Sequence, residues 1–170
     1  QFHPLKFLYA VSDVLTIYEN TAVRELIGTT AVTDHGKITA NAIIVATHFP
    51  FINKHGSYYL KMYQHRSYVT TISGAPVPDG MFIDEAKDGL SFRGYNGDLL
   101  IGGGSHRTGK KGGGFDELKE FAARAYPGAT VKYRFATQDC MTLDGVPYIG
   151  RYSASTDGLY VASGFNKWGM

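Results

Sequence analysis

The sequence predicts an α+β fold, a mixed α/β arrangement in which helices flank an antiparallel sheet, and three observations carry that reading. Ala42-Ile43-Ile44-Val45-Ala46 is apolar without alternation, the pattern of a strand covered on both faces in the parallel part of a sheet. β-branched and aromatic residues recur between Gly, Pro and Asp punctuation at Arg66 to Ser73, Met81 to Ile83, Leu90 to Arg93 and Asp98 to Gly102, a spacing that suggests antiparallel strands. Between Asp116 and Tyr126, Leu118, Phe121, Ala122 and Ala125 fall on one helical face.

The elements follow in order. His3-Pro4 opens a helix with Pro4 in its tolerated first turn and Leu5, Leu8 and Leu15 near one face, ending before Thr16. Strands over Val23 to Thr33 and Lys37 to Ala40, turned at Asp34-His35-Gly36, read as a hairpin. The buried strand at Ala42 to Ala46 ends at Thr47-His48-Phe49-Pro50. Asp116 is placed to cap the later helix, and Pro127-Gly128 stop it. Further strands are expected at Val131 to Ala136, Tyr148 to Gly150 and Leu159 to Ser163.

Composition narrows the function classes. The 170 residues, 44% hydrophobic and 19% charged, suffice for a substantial core. Net charge is +2 with mixed signs, which argues against nucleic acid or an anionic membrane as partner. No apolar run approaches a membrane span, and no signal-peptide pattern is present. The single Cys140 excludes an internal disulfide and favours a reducing, cytoplasmic setting. The histidines, His48, His55 and His65 among them, have no zinc-ligand spacing, so no metal site is expected. Nothing here indicates an oligomeric state.

Gly102 to Gly114, "GGGSHRTGKKGGG", has from Gly104 the G-x-x-x-x-G-K spacing of a phosphate-binding loop. Lys111 stands where a Ser or Thr should face magnesium, and three glycines follow where a helix should begin. The stretch is therefore read as a mobile cationic loop after a strand. Two readings remain beside it: a noncatalytic module that uses this loop for an anionic partner, and a nucleotide enzyme dependent on Lys110.

Three further segments resemble one family. Lys37 to Thr47 is similar to a "G-x-x-A-x-x-V-V-x-A-T-G" strand, with His48 in place of the last glycine. Thr142-Leu143-Asp144-Gly145-Val146-Pro147-Tyr148-Ile149-Gly150 is similar to "T-x-D-x-x-P-x-I-G". Gly158 to Met170, ending in "GFNKWGM", resembles "G-L-Y-V-A-x-G-[FH]-x-x-x-G". Together and in this order they resemble the glycine and D-amino-acid oxidase family of FAD-dependent oxidoreductases.

That resemblance implies strips of a Rossmann-like FAD-binding domain at both ends, 1–60 and 141–170, and a substrate-binding domain over 61–140. It implies FAD as cofactor in the longer parent protein, and contact with it from Ala46, Thr47, Gly164, Phe165, Asn166, Lys167, Trp168, Gly169 and Met170. Backbone N–H groups of a Gly-rich turn there would stabilise charge that builds on the ring as it accepts a hydride, with Lys167 adding a positive charge. A strand end remains open as the role of Ala46 and Thr47, a turn for Gly164 to Gly169, and packing for Trp168. The family's G-x-G-x-x-G fingerprint is absent, because in relatives it precedes the point where this chain begins. The chain is thus expected to be the middle of a longer enzyme, inactive by itself.

The substrate implied is a small amine or amino acid, oxidised at its C–N bond. In the family's "R-P-x-T-x-D" run the Arg takes the substrate carboxylate; here Asp139 stands at that position. An acid there repels a carboxylate and attracts an ammonium group, although a solvated or capping role stays open. Arg66 or Arg134 is available to compensate. His106 and Arg107 follow a strand that borders the cavity in the family; either lines its entrance or faces solvent, the flanking glycines holding the side chains poorly. Cys140 is read as a buried thiol, ahead of a covalent flavin link. No catalytic acid or base is named, since in such oxidations the cofactor performs the redox step.

Overall fold

The structure, a computed structural model, describes residues 3–52, 55–86 and 89–168. The chain divides into two compact units, one made of Gln1–Tyr59, Pro147–Ser163 and Lys167–Met170, the other of Leu60–Val146 and Gly164–Asn166.

The first unit begins with helix α1 (Pro4–Ser12), which starts at the expected proline, but Leu15 lies beyond its end and none of its residues is buried. Three strands follow, β1 (Val23–Ile27), β2 (Thr30–Thr33) and β3 (Gly36–Thr39), paired antiparallel in that order. The expected hairpin is therefore a three-stranded meander. The long first strand is broken at Gly28-Thr29, where Gly28 takes φ +58° and lets β2 fold back on β1.

A second sheet of this unit joins β4 (Ile43–Val45), β10 (Tyr148–Arg151) and β11 (Leu159–Ser163), in the order β10-β11-β4. β11 runs parallel to β4, with Leu159, Tyr160 and Val161 beside Ile43, Ile44 and Val45. Val45, Leu159 and Val161 are buried, whereas Ile44 is 66% exposed. The expectation that β4 is covered on both faces is thus corrected: packing within this unit covers one face, and Ile149 and Tyr160 share the open one with Ile44.

Two tyrosines anchor the covered side. Tyr58 and Tyr152 meet edge to face at 4.9 Å, and the Tyr58 hydroxyl donates to the Tyr152 carbonyl at 2.8 Å. The Tyr152 hydroxyl donates in turn to the carbonyl of Ile52. Burial, with the neighbouring Tyr58 adding to it, pushes the Tyr152 phenol up to about 12, and burial raises Tyr58 in the same direction.

The second unit follows the short helix α2 (Tyr58–Lys61), which the sequence had not indicated. It is a five-stranded antiparallel sheet of β5 (Met62–Ser73), β6 (Met81–Ile83), β7 (Ser91–Tyr95), β8 (Asp98–Arg107) and β9 (Thr130–Thr142), in the order β6-β7-β8-β5-β9. Helix α3 (Gly114–Ala125) packs on one face, where Leu118 and Ala122 bury against Ile72, Leu99 and Ile101. Each large aliphatic side chain buried there contributes about 1.5–3 kcal/mol.

Here the expected Gly-rich loop is corrected. Gly102 to Arg107 belong to β8, and only Thr108 to Gly113 connect it to α3. Cross-strand pairing with β5 overrides the low strand preference of glycine. Gly104 is the left-handed residue of a bulge, φ +60°, and a Cβ on it would overlap the carbonyl of Gly114. A glycine there lets the start of α3 sit directly on the strand. The helix opens on Gly113 without a side-chain cap; Asp116, expected as cap, lies with Glu117 in the first turn, where both carboxylates complement the helix dipole.

Candidate functional site

Within the first unit, the expected cofactor residues Ala46 and Thr47 follow β4 and Ser163 ends β11, so they lie at the carboxyl ends of two adjacent parallel strands. That is the edge at which parallel sheets offer ligand sites. The backbone is fixed there. The Ser163 hydroxyl donates to the carbonyl of His48, and the Thr47 hydroxyl donates to that of Phe49 at 3.1 Å. His48, which replaces the resembling motif's glycine, has φ +65°. The motif's glycine is thus explained by a left-handed turn, which His among non-glycine residues tolerates better than most. Lys167 and Trp168 are exposed, Trp168 by 66%. Gly169 and Met170, also expected at the cofactor, lie outside the described residues.

Within the second unit, Gly164-Phe165-Asn166 lies along the end of β9. The Asn166 N–H donates to the Cys140 carbonyl at 3.1 Å, and its side-chain oxygen accepts from the Thr142 N–H at 2.9 Å. Its amide nitrogen donates to the carbonyls of Gly145 and Gly164 at 3.2 and 3.1 Å. Asn166 therefore clasps the "GFN" turn to the "T-x-D-G" segment, joining two motifs that the sequence shows only as separate. Gly164 is buried with φ +71°, and a Cβ on it would overlap the Thr142 methyl. Phe165 is 44% exposed. Cys140 is buried, its thiol 3.5 Å from the Met62 sulfur.

The three expected substrate residues lie on three adjacent strands, β8, β5 and the edge strand β9, but not on one face. Arg66 of β5 is directly opposite His106 of β8 and Gln138 of β9, on the face covered by α3. His106 is firmly held, contrary to the expectation from its flanking glycines. Its Nδ1 meets the Arg107 carbonyl at 3.0 Å, and its Nε2 meets the Tyr68 hydroxyl at 2.9 Å with the rings stacked. A carbonyl only accepts, so Nδ1 carries a proton. Asp139 alternates to the opposite, helix-free face.

There it has partners that the sequence did not single out. The Ser67 hydroxyl donates to Asp139 Oδ2 at 3.4 Å, and the Ser105 hydroxyl donates to Ser67 at 3.3 Å. Lone serines carry no sequence signal; only the register of β5, β8 and β9 brings these two beside the acid. Asp139 is half-buried and, among the described residues, makes no ion pair. Farther along the same face, Val69, Leu100, Gly102, Ile83 and Phe135 line an apolar recess of about 420 Å³, with Arg93 beside them. Phe135 precedes Asp139 by four residues on β9, about 13 Å at the usual strand rise. The face thus offers an anionic point and an apolar trough, a combination suited to a cationic head on an apolar body.

Among the described residues, no three His, Cys, Asp or Glu side chains are grouped to hold a metal ion, and no helix is long and apolar enough to cross a membrane.

Comparisons with known proteins agree with this architecture. The putative Rieske 2Fe-2S iron-sulfur protein YhfW of Bacillus subtilis (strain 168) is 34% identical over 187 residues, covering all of this chain and 37% of that protein. The crystal structure of glycine oxidase from Geobacillus kaustophilus superposes with TM-score 0.71 at 25% identity, over 93% of this chain and 46% of that one. L-proline dehydrogenase from P. horikoshii superposes with TM-score 0.67 at 18% identity, over 94% and 48%, and shares the fold. The chain spans less than half the length of each of these relatives. The family described as "FAD dependent oxidoreductase" matches residues 1–170 from end to end, and the chain belongs to it.

Proposed function

We propose that this chain supplies the substrate face and the ring end of the flavin site in a longer FAD-dependent oxidoreductase that oxidises a C–N bond of an amine. The observation that carries the reading is the position of Asp139. It occupies the motif position of a carboxylate-binding Arg, on the helix-free face of the sheet, one residue from the Cys140 carbonyl that holds the "GFN" turn. Membership of the family and the likeness to glycine oxidase support the oxidation of a small amine or amino acid.

The residues fit the ring end of FAD. Within the second unit, a left-handed turn at Gly164 and Asn166 with Phe165 exposed on it gives a flat surface and backbone donors suited to an aromatic ring. Within the first unit, Ala46 and Thr47 at the carboxyl end of β4 offer a strand end, and the exposed Lys167 carries a positive charge. FAD, when bound, supplies the hydride acceptor.

The chain's own part is to bind and orient. Asp139 takes the substrate's ammonium group in a charge-assisted hydrogen bond, Ser67 and Ser105 hold the carboxylate in place, and the apolar recess takes the unreactive body of the substrate. Loss of the ammonium proton, which gives the neutral amine that is oxidised, is left to solvent, since no second titratable group is hydrogen-bonded to Asp139 among the described residues. The relationship to a protein named for a Rieske 2Fe-2S centre further supports iron–sulfur chemistry in the same polypeptide. Iron and acid-labile sulfide in the purified full-length protein measure that directly.

The test of the substrate reading is an assay of full-length wild type and Asp139→Arg against amines and their α-carboxylated counterparts. Wild type is expected to prefer the simple amine, and the variant to shift the ratio of kcat/KM toward the carboxylated one by about tenfold or more. An unchanged ratio would sink the assignment of Asp139.

A further inference from the structure

We propose that the second unit carries an anion site, separate from the substrate face, that binds a phosphate group. It is a recess of about 310 Å³ at the outer edge of the five-stranded sheet, lined by Thr70, Lys119, Val131, Lys132, Tyr133 and Arg134. Its volume lies at the lower end of small-molecule sites, roughly 300–1,000 Å³.

Two independent features point to a ligand. The first is a buried donor. Thr70 is 1% exposed, yet among the described residues its hydroxyl has no hydrogen-bond partner. A buried hydroxyl left unpaired is destabilising, and a ligand oxygen at the recess would satisfy it. The second is charge. Thr70 is directly opposite Arg134 in the β5–β9 register, so the hydroxyl and the guanidinium leave the sheet on the same face, and α3 brings Lys119 to it. Lys132 completes the set.

The charges do not cancel. Lys132 places its ammonium 2.9 Å from both carboxylate oxygens of Asp98, which neutralises one cation. Arg134 lies over the Phe115 ring at 5.5 Å, a contact that orients the guanidinium and leaves its charge intact. Lys119 has no acidic partner among the described residues. Three cations against one carboxylate leave two positive charges, which match a phosphate dianion better than a single carboxylate. The planar guanidinium and the hydroxyl also suit the several acceptor oxygens of a phosphoryl group. The recess opens on the α3 side of the sheet, opposite to Asp139, so its occupant is not the amine.

Calorimetric titration of the full-length protein with inorganic phosphate, at ionic strength fixed with chloride and with acetate as a carboxylate control, tests the site. Saturable one-site binding is expected, weakened about tenfold in Arg134→Gln and in Lys119→Gln, each of which removes a charge-assisted contact. Thr70→Val, which deletes only the hydroxyl, is expected to weaken it about fivefold. Lys119 is exposed on a helix, so its variant tests the site even if the buried substitution prevents folding. Glycerol 3-phosphate binding more tightly than inorganic phosphate assigns the site to a phosphorylated small molecule, and the reverse order assigns it to free phosphate. Heat no different from chloride, acetate binding as tightly as phosphate, or affinity unchanged in the variants overturns the proposal.

Discussion

At the scale of single residues, Asn166 decides how two sequence motifs become one structural element. It holds φ +54°, uses both ends of its amide, and satisfies the Thr142 N–H, which would otherwise lose its partner. Asn166→Ala is expected to destabilise the full-length protein by about 1–3 kcal/mol, as the lost hydrogen bonds and a left-handed alanine act together. Asn166→Gly, which removes the amide but not the backbone freedom, should cost less by about 1 kcal/mol. The urea midpoints of the two variants measure the split, and equal midpoints would show that the backbone angle contributes nothing. His48 illustrates the opposite case, a non-glycine residue at a left-handed position whose carbonyl is tied by Ser163.

At the scale of elements, β8 and the Tyr58–Tyr152 pair show how packing overrides local preference. Three successive glycines would ordinarily end a strand, yet β8 runs through them because β5 and β7 flank it and α3 approaches at Gly104. Tyr152 gives a testable electrostatic consequence. Its folded-state value near 12 lies above the unfolded value near 10, so folding favours the neutral phenol. This contribution to stability is complete below pH about 10 and is lost as pH rises from there through about 12. Tyrosinate absorbance should therefore show phenols that resist ionisation until the alkaline unfolding transition, and Tyr152→Phe should remove part of that resistant fraction. A wild-type titration with every phenol ionising near 10 would contradict the burial argument.

At the scale of the whole molecule, the chain belongs to the FAD dependent oxidoreductase family and spans less than half of each relative described above. The full-length protein is expected to be yellow, with the two-band absorption of oxidised flavin, and the 170-residue chain colourless, because the G-x-G-x-x-G cradle for the pyrophosphate is not among its residues. A colourless full-length protein that takes up no added FAD would refute the flavin assignment. Much was legible in the sequence. The apolar stripe of α3, the short β-rich runs and the three motifs determined the mixed fold and the family, because periodicity and motif residues are local properties of the chain. The break at Gly28-Thr29, the extension of β8 through its glycines and the face on which each polar side chain emerges were not legible. Strand register alone separates Asp139, with Ser67 and Ser105, from Arg66 and His106, since neighbouring residues on a strand point to opposite faces. The sequence by itself determined what chemistry the residues carry; the tertiary structure decided which of them meet, because cross-strand contacts depend on pairing between segments far apart in the chain.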